Sequence, residues 1–376
     1  MTHALLLVLA ACGPGEAVLP STTGDSAMPP RAAPEVTVGP LHSAAGTDDQ
    51  GAPDVGVRGN GRALVVYDDG AMLRAMVLEP DDTTAPSALA LAAHDGVVAA
   101  HALGFVVGLT MAGDELLAAT EVSLFGDASG TVSGLSIHTP LRPAIAWLDA
   151  DEPVIVATDG EQRLSCTTFG ATILDLGWRM CPSITDPTRR MGRAAITPVA
   201  HGYAVAWTEL ADDGAVSVHL ADTSGRSHRI ADHHLGDESP PAVVLDGDTA
   251  VVAWRGAAGP GDPAQGWVAT VPPDGPHEPL ALATDRAPSL TGPWEGFAVA
   301  AWVDDSAVWL QAVDIVTGVA AGEPQQLASQ PGATLSAVRV HGAEVDGGHL
   351  RFVATWVADD AVRPVVWFRG GLLTLP

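Results

Sequence analysis

The 376-residue chain carries 41 glycines, 29 prolines and 47% hydrophobic residues. This turn-rich composition has ample material for a buried core, which argues against a helical bundle and against disorder over most of the length. All 18 basic residues are arginine and the net charge is −27; without lysine there is no Schiff-base catalysis and no Gly-Lys-Ser/Thr phosphate loop, and so acidic a chain is no partner for nucleic acid.

The first segment, Ala4 to Ala11, reads ALLLVLAA. It is too short to cross a bilayer, which takes about 20 apolar residues. It runs into Leu9-Ala10-Ala11-Cys12-Gly13, preceded by His3 and no arginine. This resembles the lipobox of bacterial lipoproteins. The resemblance implies a signal peptide over residues 1–11, cleavage before Cys12 and acylation of Cys12; an ordinary secretory signal with an incidental cysteine is the alternative. Gly13, where a retention signal would be acidic, implies the outer membrane by the same resemblance. Residues 12–34 are rich in Pro, Gly, Ser, Thr and Ala and lack apolar periodicity, the pattern of a flexible tether.

From residue 35 the chain repeats. An apolar run with a common frame recurs as ALVVY, FVVGL, PVIVA, YAVAW, AVVAW, AVAAW and FVATW, ending at Tyr67, Leu109, Ala157, Trp207, Trp254, Trp302 and Trp356. The intervals are 42, 48, 50, 47, 48 and 54 residues. Each unit reads as four short strands. A first strand such as PAVVL (241–245) precedes the apolar run. An alternating third strand follows, as in MLRAMVL (72–78), AVSVHL (215–220) and VWLQAV (308–313). A short fourth ends the unit, as in EPLALA (278–283) and EPQQLA (323–328). Alternation sets one face inward, and five-residue apolar runs suit strands buried on both faces.

Four antiparallel strands in a unit repeated seven times resemble the blades of β-propellers. The expectation is an all-β, seven-bladed propeller over residues 35–376, with the terminal Trp of each second strand packed between blades. The WD40 and kelch patterns and the sialidase Asp-box are missing, so no propeller family lends its functional residues. Val36 to Leu41 reads as a fourth strand without its own first three, expected to complete the last blade; Leu372–Leu375 competes for that place.

Turns after the second strands are acidic: Asp68-Asp69, Asp114-Glu115, Asp159, Asp212-Asp213, Asp304-Asp305 and Asp359-Asp360, with Arg255 in that place in the fifth unit. They are either the residues tight turns select or a candidate binding face with a long-range field. Arg189, Arg190 and Arg193 enter the fourth unit on the same face, as a notch for an anion or as counter-charge. Asp246-Gly247-Asp248 and Asp149 to Glu152 lack EF-hand spacing and read as turns. The histidines in Ser227 to His234 alternate faces on a solvated edge strand rather than sharing a metal, so neither metal nor cofactor is expected. Cys166 and Cys181 face each other across a third-to-fourth-strand hairpin and suit a disulfide in an exported protein; two separate buried thiols are the alternative. No hydrolase elbow, His-Glu-x-x-His helix or glycine-rich phosphate loop occurs. The sequence points to a monomeric, lipid-anchored envelope propeller that binds a protein, peptide or glycan. An envelope hydrolase or lyase acting in the central channel and a structural subunit of an outer-membrane assembly are the other readings.

Overall fold

The computed structural model describes residues 31–376 apart from 47, 124, 129–132, 139–140, 149–151, 159–163, 169–178, 181–189, 200–201, 212–214 and 235–238. The chain begins with β1 (Glu35–Ser43). Four strands follow as β2 (Gln50–Val57), β3 (Ala63–Asp69), β4 (Met72–Leu78) and β5 (Thr84–Leu91). Next come β6 (Ala93–His101), β7 (Gly104–Met111), β8 (Leu116–Ser123) and β9 (Ser133–His138), then β10 (Ala144–Leu148), β11 (Glu152–Thr158), β12 (Leu164–Thr168) and β13 (Arg179–Met180). The fourth group is β14 (Arg190–Val199), β15 (Gly202–Leu210), β16 (Ala215–Asp222) and β17 (Ser227–His234); the fifth is β18 (Ala242–Asp246), β19 (Thr249–Gly256), β20 (Gln265–Val271) and β21 (Leu280–Leu282). The last strands are β22 (Ser289–Trp294), β23 (Phe297–Val303), β24 (Ala307–Asp314), β25 (Ala320–Ser329), β26 (Thr334–Val345), β27 (His349–Asp359) and β28 (Pro364–Thr374).

Among the described residues these strands pair into seven four-stranded sheets, six of them consecutive meanders. The remaining sheet has the order β26-β27-β28-β1, so the strand at the start of the described chain forms the outer edge of the sheet built at its end. Leu372–Leu375 does not compete for that edge, because residues 364–374 form one continuous strand paired on both sides. The first strand of each sheet touches the first strand of the next, and β26 touches β2. The body is therefore a β-propeller of four-stranded antiparallel blades, with its axis running past the first strands.

The second strands explain the packing. Along β19, Ala250, Val252 and Trp254 enter the core shared with the preceding sheet, and Val251 and Ala253 enter the core shared with the following one. The same division holds for β23 and β27: Trp302 and Trp356 face the preceding sheet, and Ala301 and Val353 the following one. Period-two alternation with apolar residues at both phases can be satisfied only between two sheets. Small and large residues complement each other across the join. Trp254 shares its core with Ala204 and Ala206, and Trp302 shares its core with Ala253. Tyr67, Leu109, Ala157 and Trp207 take the equivalent inward place in their own sheets.

Two outer strands depart from expectation. The fourth strand of the fifth sheet shrinks to Leu280–Leu282 because Pro279 has no N–H to donate to a ladder. On β17 the histidines are not all solvated: His233 is buried, its Nδ1 lies 3.2 Å from the Ala257 carbonyl oxygen, and Trp254 donates its indole N–H to His233 Nε2. His233 thus belongs to the join between the fourth and fifth sheets.

Candidate functional site

The seven first strands surround a cavity of about 350 Å³ on the propeller axis. Its walls mix apolar side chains such as Val98, Ile145, Val243 and Leu290 with polar ones that include Asp54, Arg142, Arg339 and His341. Asp54 accepts a hydrogen bond from the Val98 amide of the next sheet at 2.8 Å. His341 Nδ1 accepts one from the Val57 amide at 3.0 Å. Burial pushes the His341 pKa down, more than offsetting the nearby Asp54, so the ring is neutral at pH 7.

At one end this channel opens into a second cavity of about 290 Å³ that shares Arg142 and Arg339 with it. Five arginines line this mouth: Arg142, Arg193, Arg255, Arg286 and Arg339. Asp95 is the acid among the described lining residues. Five of 18 basic residues thus converge on one opening of a chain with net charge −27.

Backbone irregularity builds the mouth. Ladder registers slip between Gly51 and Asp54 on β2, His94 and Val97 on β6, Met191 and Ala194 on β14, and Ser336 and Arg339 on β26. Each slip is a bulge, which bends the strand and re-aims its side chains. Three of the bulges hold a non-glycine residue at positive φ: Ala52 at 42°, Asp95 at 56° and Ala337 at 54°. All three residues line the mouth. Such conformations are uncommon away from turns and persist where surrounding structure enforces them.

For the first two bulges the enforcing group is Arg142. Its Nη2 donates to the carbonyls of Ala52 at 3.1 Å, Pro53 at 3.0 Å and Gly96 at 2.5 Å. One guanidinium in the loop before β10 therefore fastens the bulges of β2 and β6. Its Nε, like that of Arg193, is buried with no hydrogen-bond partner among the described residues. Burial first, then repulsion from Arg142 and Arg193, depresses the Arg339 pKa to about 10 despite the pull of Asp54. Arg339 is still a cation at pH 7, held against like charge. Such an arrangement favours an incoming oxyanion, which guanidinium forks bind through parallel charge-assisted hydrogen bonds.

The residues expected to carry function divide sharply. Arg193 reaches the mouth, whereas Arg190 is exposed at the start of β14. Arg189, Asp159, Asp212, Asp213, Cys12 and Cys181 lie outside the described residues. Asp69 is buried and paired with Arg74 at 2.7 Å. Asp304 caps its own turn through the amides of Ser306 and Ala307 and takes the Trp309 indole N–H at 2.6 Å. Asp359 and Asp360 accept amide hydrogens within their turn. Asp114, Glu115 and Asp305 are exposed. Cys166 is buried on β12, whose register sets it opposite Arg179. Sequence reasoning missed Arg142, Arg286 and Arg339; the available signal was positional, since Arg142, Arg193 and Arg339 each stand at or just before the regular part of a first strand.

Asp68 links the acidic turns to the mouth. Its carboxylate accepts the Asp95 amide, at 3.1 Å to Oδ1, across the join between the first two sheets. Burial, the largest influence, raises its pKa from 3.8 to about 6. The folded protein holds this proton over a range where the unfolded chain has released it, so Asp68 costs stability as pH rises from about 4 to 6. Asp68→Asn keeps an acceptor for the Asp95 amide and removes that cost. Urea midpoints are expected to show the variant gaining on the wild type by up to about 3 kcal/mol between pH 4 and pH 7; parallel pH profiles would contradict this.

No family model matches the chain, and no curated protein matches it. Among solved structures, AofleA from Arthrobotrys oligospora is similar at 10% identity and a TM-score of 0.49, over 87% of this chain and 84% of that one. The Aleuria aurantia lectin in complex with alpha-methyl-L-fucoside is similar at 10% identity and a TM-score of 0.47, over 75% of this chain and 97% of the lectin. A neuraminidase-like protein from A/bat/Guatemala follows at 9% identity and 0.46, over 74% and 88%.

Proposed function

We propose that this protein is a non-catalytic binding scaffold, a seven-bladed ring that captures an anionic group of a protein, peptide or glycan partner at the arginine-lined mouth of its channel. The observation that carries this reading is the convergence of Arg142, Arg193, Arg255, Arg286 and Arg339 on one axial opening. The Asp68 carboxyl is held by the Asp95 amide and is not among the described residues that line the mouth. The test is a binding panel of acidic peptides, uronic-acid oligosaccharides and their neutral counterparts. Anionic members are expected to bind, with affinity falling at least about tenfold in Arg339→Gln, since removing one partner of a buried charge pair costs about 2–5 kcal/mol. Equal binding of neutral probes, or an unaffected Arg339→Gln, would overturn it.

The place of action proposed is the cell envelope, a reading supported by the residues Leu9 to Cys12. Cleavage before Cys12 and its acylation would leave the body on a tether of 23 residues, 12 to 34. A disulfide between Cys166 and Cys181 fits an oxidising compartment. Intact-mass measurement of membrane-extracted protein checks both: an added lipid mass on a chain starting at Cys12, and a two-proton gain on reduction. Cys12→Ser is expected to move the protein from the membrane to the soluble fraction; an unchanged distribution counts against the anchor.

A further inference from the structure

Around the basic mouth the same end of the propeller carries exposed carboxylates, with Arg190 exposed at the start of β14 and Arg363 beside Asp360 as cations among them. Asp285 is exposed beside the mouth; its carboxylate pairs with Arg286 at 3.4 Å, and its carbonyl accepts the Arg255 Nε–H. Asp305 is exposed in the β23–β24 turn, which is tied to the loop entering β26 by the bond from the Gln330 amide to the Ser306 carbonyl. Asp359 and Asp360 are exposed in the β27–β28 turn, which Arg363 ties to the Gly46 carbonyl before β2 at 3.3 Å. Asp114 and Glu115 are exposed in the β7–β8 turn. The loops that enter the first strands and the turns that leave the second strands share one end, so the cations sit at its centre and these carboxylates sit outside them.

Two charge zones of opposite sign constrain the ligand more than either does alone. A polyanion would satisfy the arginines but meet the outer carboxylates and the net charge of −27. A polycation would match the carboxylates but meet like charge at the mouth. The mouth, at about 290 Å³, falls just below the range of small-ligand sites, about 300–1,000 Å³, and admits a narrow tip rather than a folded surface. Glycans carry oxyanions but rarely cationic neighbours; peptides carry both within a few residues.

We propose that the ligand is an extended protein segment with an oxyanionic tip, carboxylate or phosphate, flanked by arginine or lysine. The tip enters the mouth among Arg193, Arg286 and Arg339, and the flanks lie against Asp305, Asp359 and Asp360. This rests on the mouth being the binding site, and the experiment separates the two claims. Five synthetic peptides of equal length are titrated against the full chain: an Asp-Asp tip with Arg, Ser or Glu flanks, a Ser-Ser tip with Arg flanks, and a phosphoserine tip with Arg flanks.

The Arg-flanked Asp-Asp peptide is expected to bind at least about tenfold more tightly than the Ser-flanked one, and the Glu-flanked one most weakly. Arg339→Gln should weaken every acidic-tip peptide, whereas Asp305→Lys with Asp360→Lys should abolish the preference for Arg flanks. The better of the Asp-Asp and phosphoserine tips identifies which oxyanion the mouth prefers, and either supports the proposal. Acidic tips that bind regardless of flank overturn the segment proposal and leave the mouth as the binding site. A Ser-Ser tip that binds as well as Asp-Asp, together with a silent Arg339→Gln, overturns both.

Discussion

Trp356→Ala is expected to be the most damaging single substitution in the body, costing about 3–5 kcal/mol. The side chain is 0% exposed and fills the core between the sixth sheet and the closing sheet, among Ala301, Val303, Leu335 and Phe352. Its indole N–H donates to Gln330 Oε1 at 2.8 Å, so truncation leaves both a cavity and an unpaired amide oxygen. Collapse around the hole is restricted, because neighbouring strands are fixed by ladders on both sides. Trp356→Phe should recover most of the loss, since it restores volume and omits only the hydrogen bond. Urea unfolding followed by circular dichroism supplies the measurement. A loss below about 1 kcal/mol for the alanine variant would mean that this tryptophan is not wedged between sheets.

Removal of residues 31–43 is expected to be nearly as costly, for a different reason. Strand β1 is the outer strand of the closing sheet, and its pairing with β28 joins the two ends of the described body. Val36 and Val38 pack against the core that holds Trp356, His42 stacks on Phe368 at 5.4 Å, and Arg369 donates to the Gly39 carbonyl at 2.7 Å. Two partly buried valines and the lost ladder amount to about 2–4 kcal/mol. The deletion also turns β28 into a long unprotected edge, which invites pairing between molecules. The expected result is a lower melting temperature with concentration-dependent association, reversed by a synthetic peptide spanning residues 31–45. A deletion variant that stays monomeric and melts like the parent would show that the β1–β28 pairing contributes little.

Much of the fold was legible because one periodicity decided it. In YAVAW, AVVAW, AVAAW and FVATW both phases of the alternation are apolar, and no single sheet in water can hide both faces. The placement of β1 was readable from its lack of partners of its own. Legibility failed where an edge strand met local chemistry. Pro279 shortened β21, and His233 turned inward to accept the Trp254 indole N–H, although its neighbours alternate like those of a solvated strand.

The site was far less legible. Acidic turns stand out in the sequence because their residues are adjacent, yet Asp304, Asp359 and Asp360 each hold their own turn through Oδ1, and adjacency says nothing of the cations they surround. The five arginines of the mouth, Arg142, Arg193, Arg255, Arg286 and Arg339, come from different units of the repeat or from the loops between them. They are too far apart along the chain to register as a cluster until the ring brings them together.

The sequence by itself determined the repeat, its four-strand unit and the inward place of the tryptophans, because each follows from short-range alternation and from burial that any register must satisfy. Only the tertiary structure decided the mouth. Ala52, Asp95 and Ala337 adopt positive φ without a glycine to announce it, and bulges on four first strands bring Asp95, Arg193 and Arg339 to a common opening. Convergence of that kind depends on where separate sheets stand around the ring, a relation no local pattern of residues encodes.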